Sequence, residues 1–314
     1  GFPTFLPLFL LAGSQNAGHI PIDFVHQICA VPVEVNGKTM RFIVDTGSYR
    51  TFLLRPAKDL GIENDAAASV RIGSHAWSGV KLDVLDSEAL RQGWLDSFDG
   101  KIDGVLGVDL LHDVGFALDV KGRYVQIFDK DESDFSDFWA PQSDRPDAKN
   151  LKVGSCPLIK NNVGTYWSPV VIDNVAHFAT IDSGAMNCQF AAAELDSIAS
   201  KGFGAFYQSI SIYGRSATLG YKVSKVNIAG LGVPFQVMAL RSPDLIGPGY
   251  VGMELIAETK VVWDFPHGKI YFQPNSDQKF KVNSELKSTS DVAVSPYGDV
   301  VPLLPGKTYL HPDW

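Results

Sequence analysis

Cysteine is scarce: Cys29, Cys156 and Cys188 are the only three in 314 residues. Their separations match no zinc-ligand pattern, and three thiols cannot form a disulfide framework. One bridge plus one free thiol stays open, with nothing to choose the pair, and the expected role is that of small buried apolar side chains. Basic residues are in the minority, 27 Lys and Arg against 35 Asp and Glu for a net charge of -8, and they form no stripe. A nucleic-acid partner is therefore not expected. The apolar run Phe2 to Leu11 is too short to span a bilayer. His75, His112, His177 and His267 are scattered, none four residues from another histidine or a cysteine, so structural or surface roles are expected and no metal. The chain also lacks His-Glu-x-x-His, Gly-x-Ser-x-Gly and a Walker loop. Neither cofactor nor covalent nucleophile is implied.

What is present is a globular composition, 45% hydrophobic and 20% charged, long enough for one large domain or two ordinary ones. Within it lies a repeat. Val31 to Ser48 alternates apolar and polar residues, turns at Asn36-Gly37, and delivers Asp45-Thr46-Gly47-Ser48 at the end of an apolar strand. Pro169 to Gly184 repeats that order, with a turn at Asp173-Asn174 and Asp182-Ser183-Gly184 at its end. Downstream, Gly104-Val-Leu-Gly-Val-Asp-Leu-Leu is answered by Gly249-Tyr-Val-Gly-Met-Glu-Leu-Ile. Each is followed by a hairpin pattern, Phe116 to Phe128 and Val261 to Phe272. Four elements recurring in one order predict an internal duplication with two similar β-rich halves.

Either tripeptide alone is weak; two at matching places are not. A short carboxylate on a tight turn projects rigidly, the hydroxyl of Thr46 or Ser183 can brace the turn, and Gly47 or Gly184 lets a backbone N–H approach the charge. If the halves face each other, Asp45 and Asp182 meet and share a proton, because like charges that close cannot both ionise. One then acts as general base on a water while the other polarises a carbonyl.

Phe42-Ile-Val-Asp-Thr-Gly-Ser, Ala179-Thr-Ile-Asp-Ser-Gly-Ala and the paired Gly-φ-φ-Gly segments, spanning Ile28 to Pro274, resemble the signatures of the pepsin and retropepsin superfamily of aspartic proteases. The resemblance implies a mainly β, bilobal fold with two pseudo-twofold-related lobes and few short helices. It also implies a polypeptide substrate in the cleft between them, an Asp45–Asp182 catalytic pair, and loops shaped by Thr46, Gly47, Ser48, Ser183, Gly184 and Ala185. The chain is compact and lacks the usual pepsin disulfides. Ser48 follows the first loop as in pepsins and Ala185 the second as in retroviral enzymes, so a Ser48 hydroxyl bond to ionised Asp45 is expected to leave the proton on Asp182. The family's covering hairpin has two candidates, Gly73 to Gly79 with Trp77 at its centre, and Tyr213-Gly214 in the second half.

The expected layout is an N-terminal segment 1–27, a lobe 28–128 with Asp45, a solvated acidic connector 129–150, a lobe 151–274 with Asp182, and a tail 275–314. Phe2 to Leu11 followed by Ala12, Gly13 and Ser14 reads as a secretory signal, so export to the periplasm or medium is expected. Two fused halves remove the need for dimerisation, and a monomer is expected. The alternative function is a silent or self-blocked peptide-binding protein of the same fold, its groove filled by the tail or by the segment before Ile28.

Overall fold

The computed structural model describes residues 18–139 apart from 57, 59–61, 63–67 and 86, residues 153–275 apart from 173–174, 187, 192–203, 212–213, 229–234 and 243–248, and the stretches 292–294 and 300–302. The signal reading of residues 2–14 lies outside them. The protein is mainly β. Among the described residues, no helix is long and apolar enough to cross a membrane.

The first half runs β1 (Ile20–Pro21), β2 (Asp23–Val25), β3 (Ile28–Val35), β4 (Lys38–Val44), β5 (Phe52–Leu53), β6 (Ala68–Ile72), β7 (His75–Val80), β8 (Asp83–Val84), α1 (Glu88–Ser97), β9 (Gly104–Leu106), α2 (Val108–Leu111), β10 (Gly115–Asp119), β11 (Tyr124–Phe128) and α3 (Ser136–Trp139). The second runs β12 (Gly154–Pro157), β13 (Ile159–Lys160), β14 (Tyr166–Ile172), β15 (Val175–Ile181), β16 (Cys188–Ala191), β17 (Gly204–Ser211), β18 (Gly214–Ile228), β19 (Phe235–Ser242), β20 (Gly249–Val251), α4 (Met253–Ile256), β21 (Thr259–Asp264) and β22 (Lys269–Pro274). In the tail, β23 (Val292–Val294) pairs with β24 (Val300–Pro302).

The expected hairpins form for the expected reasons. Asn36 and Gly37 take φ of 49° and 81°, the left-handed pair that a two-residue connection between β3 and β4 requires. In the second half Ile172 pairs with Val175, although residues 173–174 themselves are outside the described set. Because β4 is flanked by β3 on one side and β9 on the other, Phe42, Ile43 and Val44 are all fully buried. β9 runs parallel to β4, Phe42 opposite Gly104 and Val44 opposite Leu106. A Cβ at Gly104 would stand 2.7 Å from the Phe42 ring and 2.8 Å from the Phe52 carbonyl oxygen, so only glycine admits this approach. The second half repeats the pairing: β20 runs parallel to β15, with Ala179 opposite Gly249 and Ile181 opposite Val251.

The closing hairpins of both halves meet in one six-stranded sheet ordered β1-β11-β10-β21-β22-β12. β10 and β21 pair antiparallel at its centre, from Gly115 opposite Asp264 to Asp119 opposite Lys260. Trp263 and Phe116 pack there with ring centroids 6.0 Å apart. The fully buried Asp119 faces Lys260 Nζ at 3.6 Å, and that ammonium also donates to the Phe138 carbonyl at 2.9 Å.

Two expected boundaries change. Residues 20–25 belong to the folded unit: β1 extends the six-stranded sheet and β2 pairs with β3, as β12 and β13 do in the second half, and Ile20, Ile22 and Val25 are buried. The stretch from residue 18 to Ile28 is thus committed to sheet pairing rather than to filling a groove. The connector is not wholly solvated either. Phe135 and Phe138 are buried with Ala117, Tyr124, Phe128 and Val262 against the six-stranded sheet, and an α3 turn carries them there. Residues 140–150 lie outside the described set.

Candidate active site

The strand order brings the two Asp-bearing loops together. Asp45 leaves β4 with its N–H on the Leu106 carbonyl at 3.0 Å, and Asp182 leaves β15 with its N–H on the Val251 carbonyl at 2.9 Å. Each aspartate is thereby fastened to its own Gly-φ-φ-Gly segment. The loops then brace one another. Thr46 Oγ1 accepts from the Ser183 N–H at 3.0 Å and donates to the Ile181 carbonyl at 2.7 Å. Ser183 Oγ accepts from the Thr46 N–H at 3.1 Å and donates to the Val44 carbonyl at 2.8 Å. Both side chains are buried, so these four bonds are made away from water. Trp263 Nε1 also donates to the Ile181 carbonyl, at 3.3 Å, tying the central sheet to the second loop.

Each carboxylate is held by its own turn, Gly47 N–H to Asp45 Oδ1 at 3.0 Å and Gly184 N–H to Asp182 Oδ1 at 2.8 Å. The glycines are also where the loops touch. A Cβ on Gly47 would lie 2.8 Å from Asp182 Oδ1, and one on Gly184 would lie 2.6 Å from both Asp45 carboxylate oxygens. The aspartates are hydrogen-bonded to one another. Burial pushes Asp45 well above the usual carboxylate range, reinforced by the Asp182 charge and by the shared hydrogen bond. Burial also raises Asp182, but N–H groups of Gly184, Gly47 and Ala185 and the bond from Asp45 pull it back. One proton is therefore shared between the two carboxyls.

Ser48 does not make the bond to Asp45 expected of it. Its hydroxyl donates to the Arg50 carbonyl at 2.8 Å rather than to Asp45. Ser48 and Ala185 act through their backbones, each N–H closing its turn onto the aspartate carbonyl, at 3.1 and 3.3 Å.

The hairpin of Gly73 and Trp77 is engaged with residues of its own half. β6 pairs with β3, Val35 opposite Val70, in the place where the far end of β18 pairs with β14, Val170 opposite Ile228. The β6–β7 hairpin is thus the counterpart of β18–β19. Trp77 Nε1 donates to Asp113 Oδ1 at 3.2 Å, its ring packs on His75, and the Gly73 turn abuts Ile20. In the second half, β17 and the near end of β18 form a further long hairpin, Ser211 opposite Gly214, that has no described counterpart in the first. Tyr213 is outside the described residues; Gly214 opens β18. β17 reaches α1 of the first half.

Three supporting side chains, Thr51, Asp109 and Glu254, were not singled out in the sequence. Thr51 Oγ1 accepts from Gly107 N–H at 3.0 Å and donates to Asp109 Oδ1 at 2.7 Å, while Glu254 Oε1 accepts from Cys188 N–H at 2.6 Å. Asp109 and Glu254 both stand two residues after the second glycine of their segments, a signal that was available. The three cysteines are buried and free, and burial pushes Cys29 and Cys156 up to about 12. His75, His112 and His267 each engage Nδ1 with an oxygen of Asp129, Asp109 and Asp264 respectively. A cavity of about 540 Å³ lined by Lys38, Leu54, Arg55, Arg91 and Asp103 lies at the opposite end of β4 from Asp45 and shares no residue with the two loops. Set beside known proteins, the chain matches no family model and no curated protein, so what the site does is argued from its geometry and chemistry.

Proposed function

We propose that this protein is an aspartic endopeptidase, with Asp45 and Asp182 as its catalytic pair in a bilobal, pepsin-like or retropepsin-like arrangement. One observation carries the reading: two carboxylates hydrogen-bonded to each other on loops that brace one another through Thr46 and Ser183. Holding two acids together at the cost of burying them makes sense where one proton must be shared. Ionised Asp182 takes a proton from water as its oxygen attacks the scissile carbonyl carbon, and Asp45 gives its proton to the carbonyl oxygen. The tetrahedral diol collapses when Asp182 returns a proton to the amide nitrogen, the C–N bond breaks, and a hydroxyl proton restores Asp45. The substrate is an extended polypeptide laid along the groove as an added strand, and the β17–β18 hairpin is the segment best placed to close over it.

The test is cleavage of an unfolded protein across pH, with Asp45→Asn alongside. The wild-type activity should persist above the ordinary carboxylate value of 3.8 before its alkaline limb, because both carboxyls are raised. Equal cleavage by the variant would refute the assignment.

A self-blocked form is favoured by one contact: β23 of the tail lies against β17. Removal of residues 276–314 should then raise activity at unchanged KM per active molecule, and an unchanged rate rejects it.

A further inference from the structure

Cys188 is a buried thiol in the second half for which the dyad chemistry has no use. Its place in the repeat gives it one. Thr51 and Cys188 stand 137 residues apart, as Asp45 and Asp182 do; Thr51 immediately precedes β5 and Cys188 opens β16, the short strands that leave the two loops. In the first half the loop is pinned to the Gly-φ-φ-Gly segment at successive points. Asp45 N–H meets the Leu106 carbonyl, Val108 N–H meets the Ser48 carbonyl at 2.9 Å, and Thr51 Oγ1 joins Gly107 N–H to the Asp109 carboxylate. The second half has the same pins: Asp182 N–H on Val251, Met253 N–H on the Ala185 carbonyl at 2.7 Å, and Glu254 N–H on the Met186 carbonyl at 3.0 Å. The Glu254 carboxylate reaches back to the Cys188 N–H. The Cys188 thiol thus lies beside the Gly252–Glu254 segment, in the place where Gly107 and Asp109 flank the Thr51 hydroxyl.

We infer that Cys188 is a positioning residue for Asp182: its S–H, bridging Gly252 N–H and the Glu254 carboxylate, does for the second catalytic loop what the Thr51 hydroxyl does for the first. Burial and the adjacent Glu254 push the thiol well up, so it stays protonated and keeps its donor. It is a strut, not a nucleophile. The inference rests on the catalytic reading of the dyad for its kinetic consequence, but the bond itself is independent of that reading.

Two measurements test it. Valine at position 188 fills the space without a donor, and threonine restores one. Cys188→Val should lower kcat about tenfold with KM unchanged and displace the pH–rate profile, as Thr51→Val should for the other loop, while Cys188→Thr recovers both. Separately, the infrared S–H stretching band assigned by difference against Cys188→Thr should move to higher frequency in Glu254→Gln, where a weaker acceptor replaces the carboxylate. Valine and threonine variants with equal kcat and equal pH profiles, or a band that Glu254→Gln leaves in place, would overturn the inference. Should Asp45→Asn cleave as well as wild type, the dyad reading falls, and the band alone decides whether the Cys188 strut exists.

Discussion

Replacing Thr46 with valine tests the cross-brace that aligns the two aspartates. Valine keeps the shape of the buried side chain and removes only the hydroxyl. Two bonds go with it, the acceptance from Ser183 N–H at 3.0 Å and the donation to the Ile181 carbonyl at 2.7 Å. They are not equal losses. The Ile181 carbonyl retains the Trp263 indole N–H, so only a modest net bond is lost there, about 0.5–1.5 kcal/mol. The Ser183 N–H is left buried without its partner, costing about 1–3 kcal/mol. The sum is about 1.5–4.5 kcal/mol, read as a shift of the urea midpoint at unchanged m-value. Thr46→Ser, which keeps the hydroxyl, should lose far less. A valine variant within about 0.5 kcal/mol of wild type would refute the claim that this hydroxyl satisfies the partner loop.

Gly184→Ala places a methyl 2.6 Å from both Asp45 carboxylate oxygens. Displacing that carboxylate by about an ångström should cost at least about 100-fold in kcat, and cleavage assays with full activity would show that the loops do not touch in solution. Ser48→Ala should leave the pH–rate profile in place, since the hydroxyl serves the Arg50 carbonyl; a shift of the acidic limb would restore the Asp45 bond expected from sequence. Asp45→Asn bears on stability as well. Because the folded carboxyls are raised, their contribution is full below the unfolded value of 3.8 and is lost as pH rises through the raised ones. The variant should therefore be more stable than wild type at neutral pH, with the gap closing in acid. Urea unfolding across pH measures it, and a constant gap would contradict the buried shared proton.

The hairpins ending in Asp45 and Asp182 and the two Gly-φ-φ-Gly segments were legible because their signals are local: period-two alternation, Asn36-Gly37, and glycines at fixed offsets from an acid. The candidate covering hairpin shows the limit. Gly73 to Gly79 reads as a hairpin and is one, but its partner is chosen by the pairing of Val35 with Val70, a contact between distant segments that no local pattern encodes. Likewise Phe135 and Phe138 sit in a stretch so rich in Asp, Ser and Pro that composition hid two core residues. β1 and β2 are too short to show alternation. The Thr51 and Cys188 equivalence was readable as spacing, yet a hydroxyl and a thiol do not look alike in sequence even when they occupy one role.

The location of the shared proton illustrates how little separates the two loops. Their side chains suggest that Ser48 favours an anionic Asp45, but that hydroxyl faces away, and the backbone decides instead. Asp182 draws on N–H groups of Gly184, Gly47 and Ala185, whereas Asp45 draws on those of Gly47 and Ser48. A hydrogen bond to a charged group contributes about 1.5–3 kcal/mol, and one pKa unit corresponds to about 1.36 kcal/mol. One donor more at Asp182 than at Asp45 would suffice to bias the proton toward Asp45 by about tenfold. A duplicated fold whose halves were identical would leave the proton evenly divided; in the proposed mechanism, more backbone donors around Asp182 favour it as the base and Asp45 as the acid.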